Sequence, residues 1–282
     1  MQKRNVLNSP RLLELKKNRH KAIFNKVLIS CLGLFVIFIL FTYLSGLESL
    51  NLGEIKIVGN KVLSTEEIEK VVKDQLSGKY IWLFPKTNIF FYPKNSIRNE
   101  LEDKFKRVKD INFSIKNNEI LEVSLSERIG KYTWCGHIKE TELEECYFLD
   151  EDGYIFDKAP YFSGEVYFKF YGEVGDILGS YFFRENFKQL ISFKDILFGI
   201  EIKPVALYVK DGGDIEVFLS KGKEAETEPK IIFKINSIFQ NIAENLKTAL
   251  NTEPLQSEFK NKYSSLLYLD LRFENKVYSK FK

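Results

Sequence analysis

Residues 27–47 read VLISCLGLFVIFILFTYLSGL, 21 positions without one charged side chain. A helix of about 20 residues rises about 30 Å, the thickness of a bilayer's hydrocarbon core. Three structures accommodate such a run: an uncleaved membrane anchor, a cleaved signal peptide and a buried core helix. A signal peptide has an apolar core of about 7–15 residues and a small-x-small exit. Here the core is longer, and Tyr43-Leu44 precede Ser45-Gly46. The stretch therefore reads as an uncleaved transmembrane helix. Its small residues Ser30 and Gly33 would permit close approach of another span, and Cys31 counts as a small apolar residue.

Charge is divided sharply by this span. Residues 1–26 hold eight Lys/Arg (Lys3, Arg4, Arg11, Lys16, Lys17, Arg19, Lys21 and Lys26) against the single acid Glu14. The arm is thus +7 in a chain of net charge +3, so the part beyond the span is −4 net. Basic residues flanking a first span remain cytoplasmic, so the expectation is a single-pass protein, N-terminus inside and C-terminus outside. The arm serves as a topology determinant, and its charge also suits anionic headgroups. An acidic outer part argues against nucleic acid, which requires clustered cations.

After the span, Glu54-Ile55-Lys56-Ile57 alternates polar and apolar, the signature of a strand with one buried face. Ser64-Thr65-Glu66-Glu67 forms a capping box ahead of Ile68, Val71, Val72 and Leu76 at helical spacing, and Gly78 ends that helix. Tyr80-Ile81-Trp82-Leu83-Phe84-Pro85 is an apolar connection, with Pro85 and Pro93 limiting regular structure. A second helix begins near Asn95-Ser96 and carries Ile97, Leu101 and Phe105 on one stripe. Ile111/Phe113/Ile115 and Leu121/Val123/Leu125 mark two strands, joined through Asn117-Asn118, residues suited to a φ > 0 hairpin pair. The order is β-α-α-β-β, and two helices would cover one face of a three-stranded sheet.

This order behind a single anchor resembles the POTRA domain of the FtsQ/DivIB bacterial cell-division proteins. The residues carrying the resemblance are Ile57-Val58-Gly59-Asn60, the Gly78-Lys79-Tyr80-Ile81-Trp82-Leu83-Phe84 segment, and Leu125-Ser126-Glu127-Arg128 at the end of the unit. POTRA units also occur in envelope-assembly and secretion proteins, the competing class. The hairpin Tyr147–Phe156, with Asp150-Glu151-Asp152-Gly153 at its turn, is similar to a D-x-x-G hairpin of the same family. Further strands are expected at Glu165–Phe170, Val205–Lys210 and Ile215–Leu219, the last two flanking Asp211-Gly212-Gly213-Asp214. Helices are expected over Phe183–Leu197 and Ile238–Leu250, and a solvated polar loop over residues 221–229. The stretch Leu267–Tyr278 resembles the family's Y-x-D-L-R-[YF] ending. Leu267, Leu269, Leu271 and Phe273 would share one strand face, Tyr268, Asp270 and Arg272 the other. A turn at Glu274-Asn275-Lys276 would then lead into a final strand, Val277–Phe281.

The fold class expected is α+β: a basic arm (1–26), a transmembrane helix (27–47), a POTRA domain (53–131) and a mainly antiparallel β domain with flanking helices (132–282). The resemblance implies a non-catalytic divisome scaffold at the division septum of the inner membrane. Such a scaffold binds small single-span FtsB/FtsL-like proteins through its C-terminal β edge and other divisome components through its POTRA unit. By position, the partner-binding residues would be Tyr268, Asp270, Arg272, Phe273, Tyr278, Lys280 and Phe281. An unpaired final strand carrying aromatic and lysine side chains suits strand addition on physical grounds alone. Against relatives, the arm is short, no tail follows the last motif, and the cysteine pair is not a general family trait.

Cys135 and Cys146 flank a polar segment, GHIKETELEE, outside the membrane, where disulfides persist; a bridge closing a hairpin is expected. His137 between them gives only three zinc donors at unusual spacing. Asp150 and Asp152 suit turn chemistry better than a calcium loop, which needs a distal Glu and further oxygens. With His137 the only outer histidine, no Ser-His-Asp or Cys-His arrangement is supported. No phosphate-binding glycine loop appears, and the carboxylate pairs Glu144/Glu145 and Asp150/Asp152 lie in turn contexts. No enzyme, metal or cofactor is expected.

Overall fold

The computed structural model describes residues 10–139, 145–221, 228–273 and 276–282, apart from the side chains of Pro10, Leu12 and Leu13. The start of the basic arm, Glu144, most of the polar loop after Lys221 and the Glu274-Asn275 turn lie outside the described residues. The chain divides into two compact units, one of residues 1–103 and 110–126, the other of residues 104–109 and 127–282. Both helices and strands are present throughout, so the chain is mixed α+β.

The first unit opens with helix α1 (Pro10–Ser45), which is long and apolar enough to cross a membrane. Its apolar side chains face outward all around, Val27, Phe35 and Phe41 among them. Towards its end the helix is packed within the unit, where Phe38 meets Phe84 edge-to-face and Ser45 is buried; a helix hydrophobic on every side suits a buried core or a membrane span. The last exposed carbonyls of a helix have no intrahelical donor. Here the Ser45 carbonyl accepts from the side-chain amides of Asn51 (2.9 Å) and Asn88 (3.0 Å). Leu52 N–H donates to Thr87 O and Ile89 N–H to Leu50 O, so the segment leaving the helix is tied to residues 87–89.

Beyond it come β1 (Glu54–Val58), α2 (Thr65–Leu76), the short pair β2 (Lys79–Tyr80) and β3 (Phe84–Pro85), α3 (Lys94–Lys104), β4 (Val108–Lys116) and β5 (Ile120–Glu127). The sheet order is β1-β5-β4, with β1 parallel to β5. Ile68, Val72, Ile97, Leu101, Leu121 and Val123 are buried. The helical and period-two patterns therefore converge on one core. Ser64 caps α2 by accepting from Glu67 N–H (3.4 Å), and its hydroxyl donates to Glu66 (2.6 Å). Asn117 and Asn118 both take positive φ, as the hairpin requires. Helix α3 ends one residue short of Phe105.

The second unit is built on a nine-stranded sheet: β6 (Tyr132–Trp134), β7 (Tyr147–Leu149), β8 (Ile155–Lys158), β9 (Lys169–Tyr171), β10 (Pro204–Val209), β11 (Asp214–Leu219), β12 (Lys230–Lys234), β13 (Leu266–Phe273) and β14 (Lys276–Phe281). Their order is β14-β13-β12-β11-β10-β9-β6-β7-β8. Five neighbouring pairs are antiparallel; β6–β9, β9–β10 and β12–β13 are parallel. The sheet is thus mixed, with antiparallel pairs in the majority. Parallel neighbours need a long crossover, and helix α4 (Phe187–Gly199) supplies one between β9 and β10. Helices α5 (Phe239–Leu250) and α6 (Leu255–Lys262) supply another between β12 and β13.

The core includes Phe170, Phe182, Phe187, Phe193, Phe233 and Leu246. Three expectations shift. The strand expected at 165–170 forms only over Lys169–Tyr171; α4 starts at Phe187, four residues late; and Ile238 is exposed while Phe239 takes the core position. The Asp150 carboxylate receives Asp152 N–H and Tyr154 N–H (2.9 Å each), with Gly153 at φ +81° behind it. Arg128 forms an ion pair with the same carboxylate.

Gly59 has φ +93°, and a Cβ there would stand 2.1 Å from the Leu125 carbonyl oxygen. Left-handed backbone costs an L-residue about 1–2 kcal/mol, and the overlap adds about 1–3 kcal/mol. Gly59→Ala is expected to lower the first unit's stability by a few kcal/mol, read as a drop in urea midpoint by hydrogen exchange of α2 amides. An unchanged midpoint would show that β1 and β5 can part freely at this point.

Candidate functional site

Strand β14 ends the sheet, its outer side unpaired among the described residues. Its register with β13 sets which side chains share a face: Tyr268 opposite Lys280, Asp270 opposite Tyr278, Leu266 opposite Phe281. Continuing inward, Asp270 aligns with Ile232, Ile232 with Glu216, and Glu216 with Tyr208. Tyr208, Glu216, Ile232, Asp270 and Tyr278 therefore form a row across five strands, on the face opposite the helices. Phe218, Lys230, Tyr268 and Lys280 form the next row.

Charges organise this face. Arg272 grips Asp270 through Nε to Oδ1 (2.9 Å) and Nη2 to Oδ2 (2.6 Å), while its backbone N–H donates to the same carboxylate. Its Nη1 reaches Asp214 on β11 (2.9 Å), which also pairs with Lys234 (2.6 Å). The guanidinium thus spans β12 to join β13 with β11. Glu216, buried, lies between Lys210 (2.7 Å) and Lys230 (2.9 Å). Burial pushes the Asp270 carboxyl upward, but hydrogen bonds and charge from Arg272 outweigh it and hold it below its ordinary value. Lys234 and then Arg272 hold Asp214 low. Burial likewise opposes ionisation of Glu216, and Lys210 and Lys230 overcome it. The Arg272 guanidinium is raised chiefly by its bond to Asp270.

The seven residues singled out in the sequence have different surroundings. Tyr278 and Lys280 are exposed on the edge strand, and Tyr268 is half-buried beside them. Phe273 and Tyr278 are 53% and 50% exposed, with ring centroids 5.3 Å apart in an edge-to-face pair. Asp270 is buried and bonded by Arg272, whose guanidinium it positions. Phe281 is half-buried and packs against the core below the sheet. The alternation expected for β13 fails at both ends. Irregular register near Leu267 brings Leu266 and Leu269 to the core, and a second irregularity before Phe273 turns that ring outward. Sequence periodicity has no mark for such bulges.

Cys135 and Cys146 are joined, S–S 2.06 Å, and tie the end of β6 to the approach of β7. His137 stacks edge-on against Trp134. No group of three or more His, Cys, Asp or Glu side chains suited to a metal occurs among the described residues. Compared with protein-family models and with curated proteins, the chain matches none of either.

Arg272→Ala leaves Asp270 buried without its cation. Breaking a fully buried ion pair costs about 3–5 kcal/mol; because Arg272 keeps a third of its side chain in solvent, a loss of roughly 2 kcal/mol is expected by the same reasoning. The three carboxyls have lowered folded-state values, so their stabilisation is present above the ordinary carboxylate range and disappears as pH falls through the folded values. Without its cation Asp270 is left to the raising effect of burial and protonates at higher pH than in the wild type, so the gap between wild type and variant should narrow as pH falls through the ordinary carboxylate range. Denaturant melts across pH test this, and a constant gap would show that Asp270 does not need its cation.

Proposed function

We propose that this chain is a membrane-anchored, non-catalytic scaffold of FtsQ/DivIB type, acting at the division septum. In this reading α1 lies across the inner membrane with the basic arm in the cytoplasm. The first unit is a POTRA domain that meets other divisome components. The second unit recruits FtsB/FtsL-like single-span proteins by strand addition to β14.

The observation that carries the reading is the edge itself. Strand β14 has one unpaired side, and Phe273, Tyr278, Lys280 and the flank of Tyr268 stand beside it. An added strand gains affinity from main-chain hydrogen bonds and specificity from side chains alternating along it. An exposed edge is otherwise an aggregation hazard, and the lysines Lys276, Lys280 and Lys282 discourage pairing with copies of itself. The Arg272 clamp fixes β13, and through it β14, to the interior of the sheet. A rigid edge costs less entropy on binding than one ordered at that moment. Phe281 and Val277 anchor the strand from below, leaving Tyr278 and Lys280 free for contact.

Tyr278→Ala and Phe273→Ala remove exposed rings without touching the core. If the pair is a binding hot spot, each should cost at least about 2 kcal/mol, about 30-fold in affinity. Co-purification of an FtsB/FtsL-like partner with the full chain is the measurement, with the far-UV spectrum as control for folding. Full retention of the partner by the double variant would sink the edge-strand assignment. Removal of residues 276–282 should abolish binding while the first unit keeps its structure.

A further inference from the structure

We infer that the aromatic hairpin at residues 79–91 is a second membrane contact, inserted into the outer leaflet of the same bilayer that α1 crosses. The inference rests on α1 being the membrane span. The relevant residues all lie in the first unit. Strands β2 and β3 form a small ribbon whose turn is closed by Leu83 N–H to Tyr80 O (3.0 Å). The turn presents Ile81 and Trp82, 80% and 91% exposed, and Phe90 and Phe91 follow as exposed rings. Isolated exposed apolar residues are ordinary; a contiguous group of large ones marks a binding surface.

The occupant follows from where the ribbon sits. Phe84, at the foot of the turn, makes an edge-to-face contact with Phe38 of α1, ring centroids 5.8 Å apart. Phe84 also touches Phe91 (6.2 Å). Tyr43 is the only aromatic hydroxyl of the apolar stretch, and tyrosines of a span gather at the membrane–water interface. Phe38 lies five residues before Tyr43, about 7.5 Å deeper along the axis at 1.5 Å per residue. A ribbon packed on Phe38 therefore lies beneath the headgroups, at the depth of about 5–10 Å that interfacial segments occupy. The hydrogen bonds of Asn51 and Asn88 to the Ser45 carbonyl hold it at that height.

Two further observations fit a lipid occupant. Between Ser77 and Pro93 the only charged residues are Lys79 and Lys86, with no acid. Lys86 lies 5.9 Å from the Tyr80 ring, and lysines on either side of an aromatic turn suit the phosphate zone, with stems in the apolar layer. The backbone at Ile81 (φ +48°) and Trp82 (φ +58°) is left-handed. An L-residue bears a cost there that glycine escapes. Two bulky residues held that way and left in water have no offsetting contact, whereas transfer into lipid supplies one.

The test uses the full chain reconstituted into phosphatidylcholine vesicles. Trp82 and Trp134 are the only tryptophans, and Trp134 is buried in the second unit. Trp82→Phe isolates its emission by difference, at an exposed position where the fold is not at risk. Lipids brominated near the headgroup end of the acyl chain should remove most of the Trp82 signal, and lipids brominated near the methyl end distinctly less. Equal Trp82 emission in brominated and plain lipid would overturn the inference and leave the patch to a protein partner. Failure of the span reading is separately visible, since the chain would then float free of the vesicles instead of sedimenting with them.

Discussion

An α-helix ends in carbonyls with no donor of its own to bond them. In this chain the Ser45 carbonyl is taken by two amides, from Asn51 just after the helix and from Asn88 far along the sequence. That pair of bonds does more than satisfy an orphan acceptor. It joins the span to the folded unit that follows without a free linker, because Leu50 and Leu52 are bonded to residues 89 and 87 at the same place. The first unit is thus set at a fixed height on its helix, and the place of the Tyr80–Phe91 segment along that helix follows from it. A Gly/Ser-rich tether here would have left the unit to drift; the two asparagines remove that freedom.

The second unit follows a different economy. Its sheet has one face filled by helices and the other by a lattice of charges in cross-strand rows. Opposite charges on neighbouring strands contribute modestly each. Arg272, bonded to two carboxylates on strands that are not neighbours, converts such contacts into a clamp. The terminal hairpin is consequently fastened twice, from below by Val277 and Phe281 in the apolar core and from above by the guanidinium. What remains exposed on it, Tyr278, Lys280 and Phe273, is held in place by the Arg272 guanidinium above and by Val277 and Phe281 below.

Much of this organisation is visible in the residues. Periodicities of 3.6 and 2 place α2, α3, β4 and β5, because each has one face in the core and one in water. The charge-free run 27–47 identifies α1, and the Asn117-Asn118 and Asp211–Asp214 turns locate their hairpins. What escapes is what local pattern cannot encode. Strands β6 and β12 are short and buried, and Lys230–Lys234 is too brief to show alternation. Parallel pairing depends on crossovers through α4, α5 and α6, a long-range property. The candidate edge was legible as a stretch, but its residues sort only in three dimensions: register slips beside Leu267 and Phe273 decide which rings face outward, and Asp270 is buried while Phe281 is half-buried against the core.

Strand β9 has a consequence of its own. It joins the β6–β8 meander to the β10–β14 half of the sheet through two parallel pairings, three residues long with β10 and two with β6. Fewer ladder bonds cross the sheet there than between β10 and β11, whose register runs over five residue pairs. Mechanically β9 is a seam, reinforced from beneath by Phe170 and its neighbours Phe182 and Phe187. Load applied at β14 is carried by β10–β13 before it reaches the seam. The disulfide lies beyond the seam, between β6 and the approach of β7, so the far half is held by covalent closure and the near half by ladder length. Two leaflets of one sheet are thereby stiffened by unlike means.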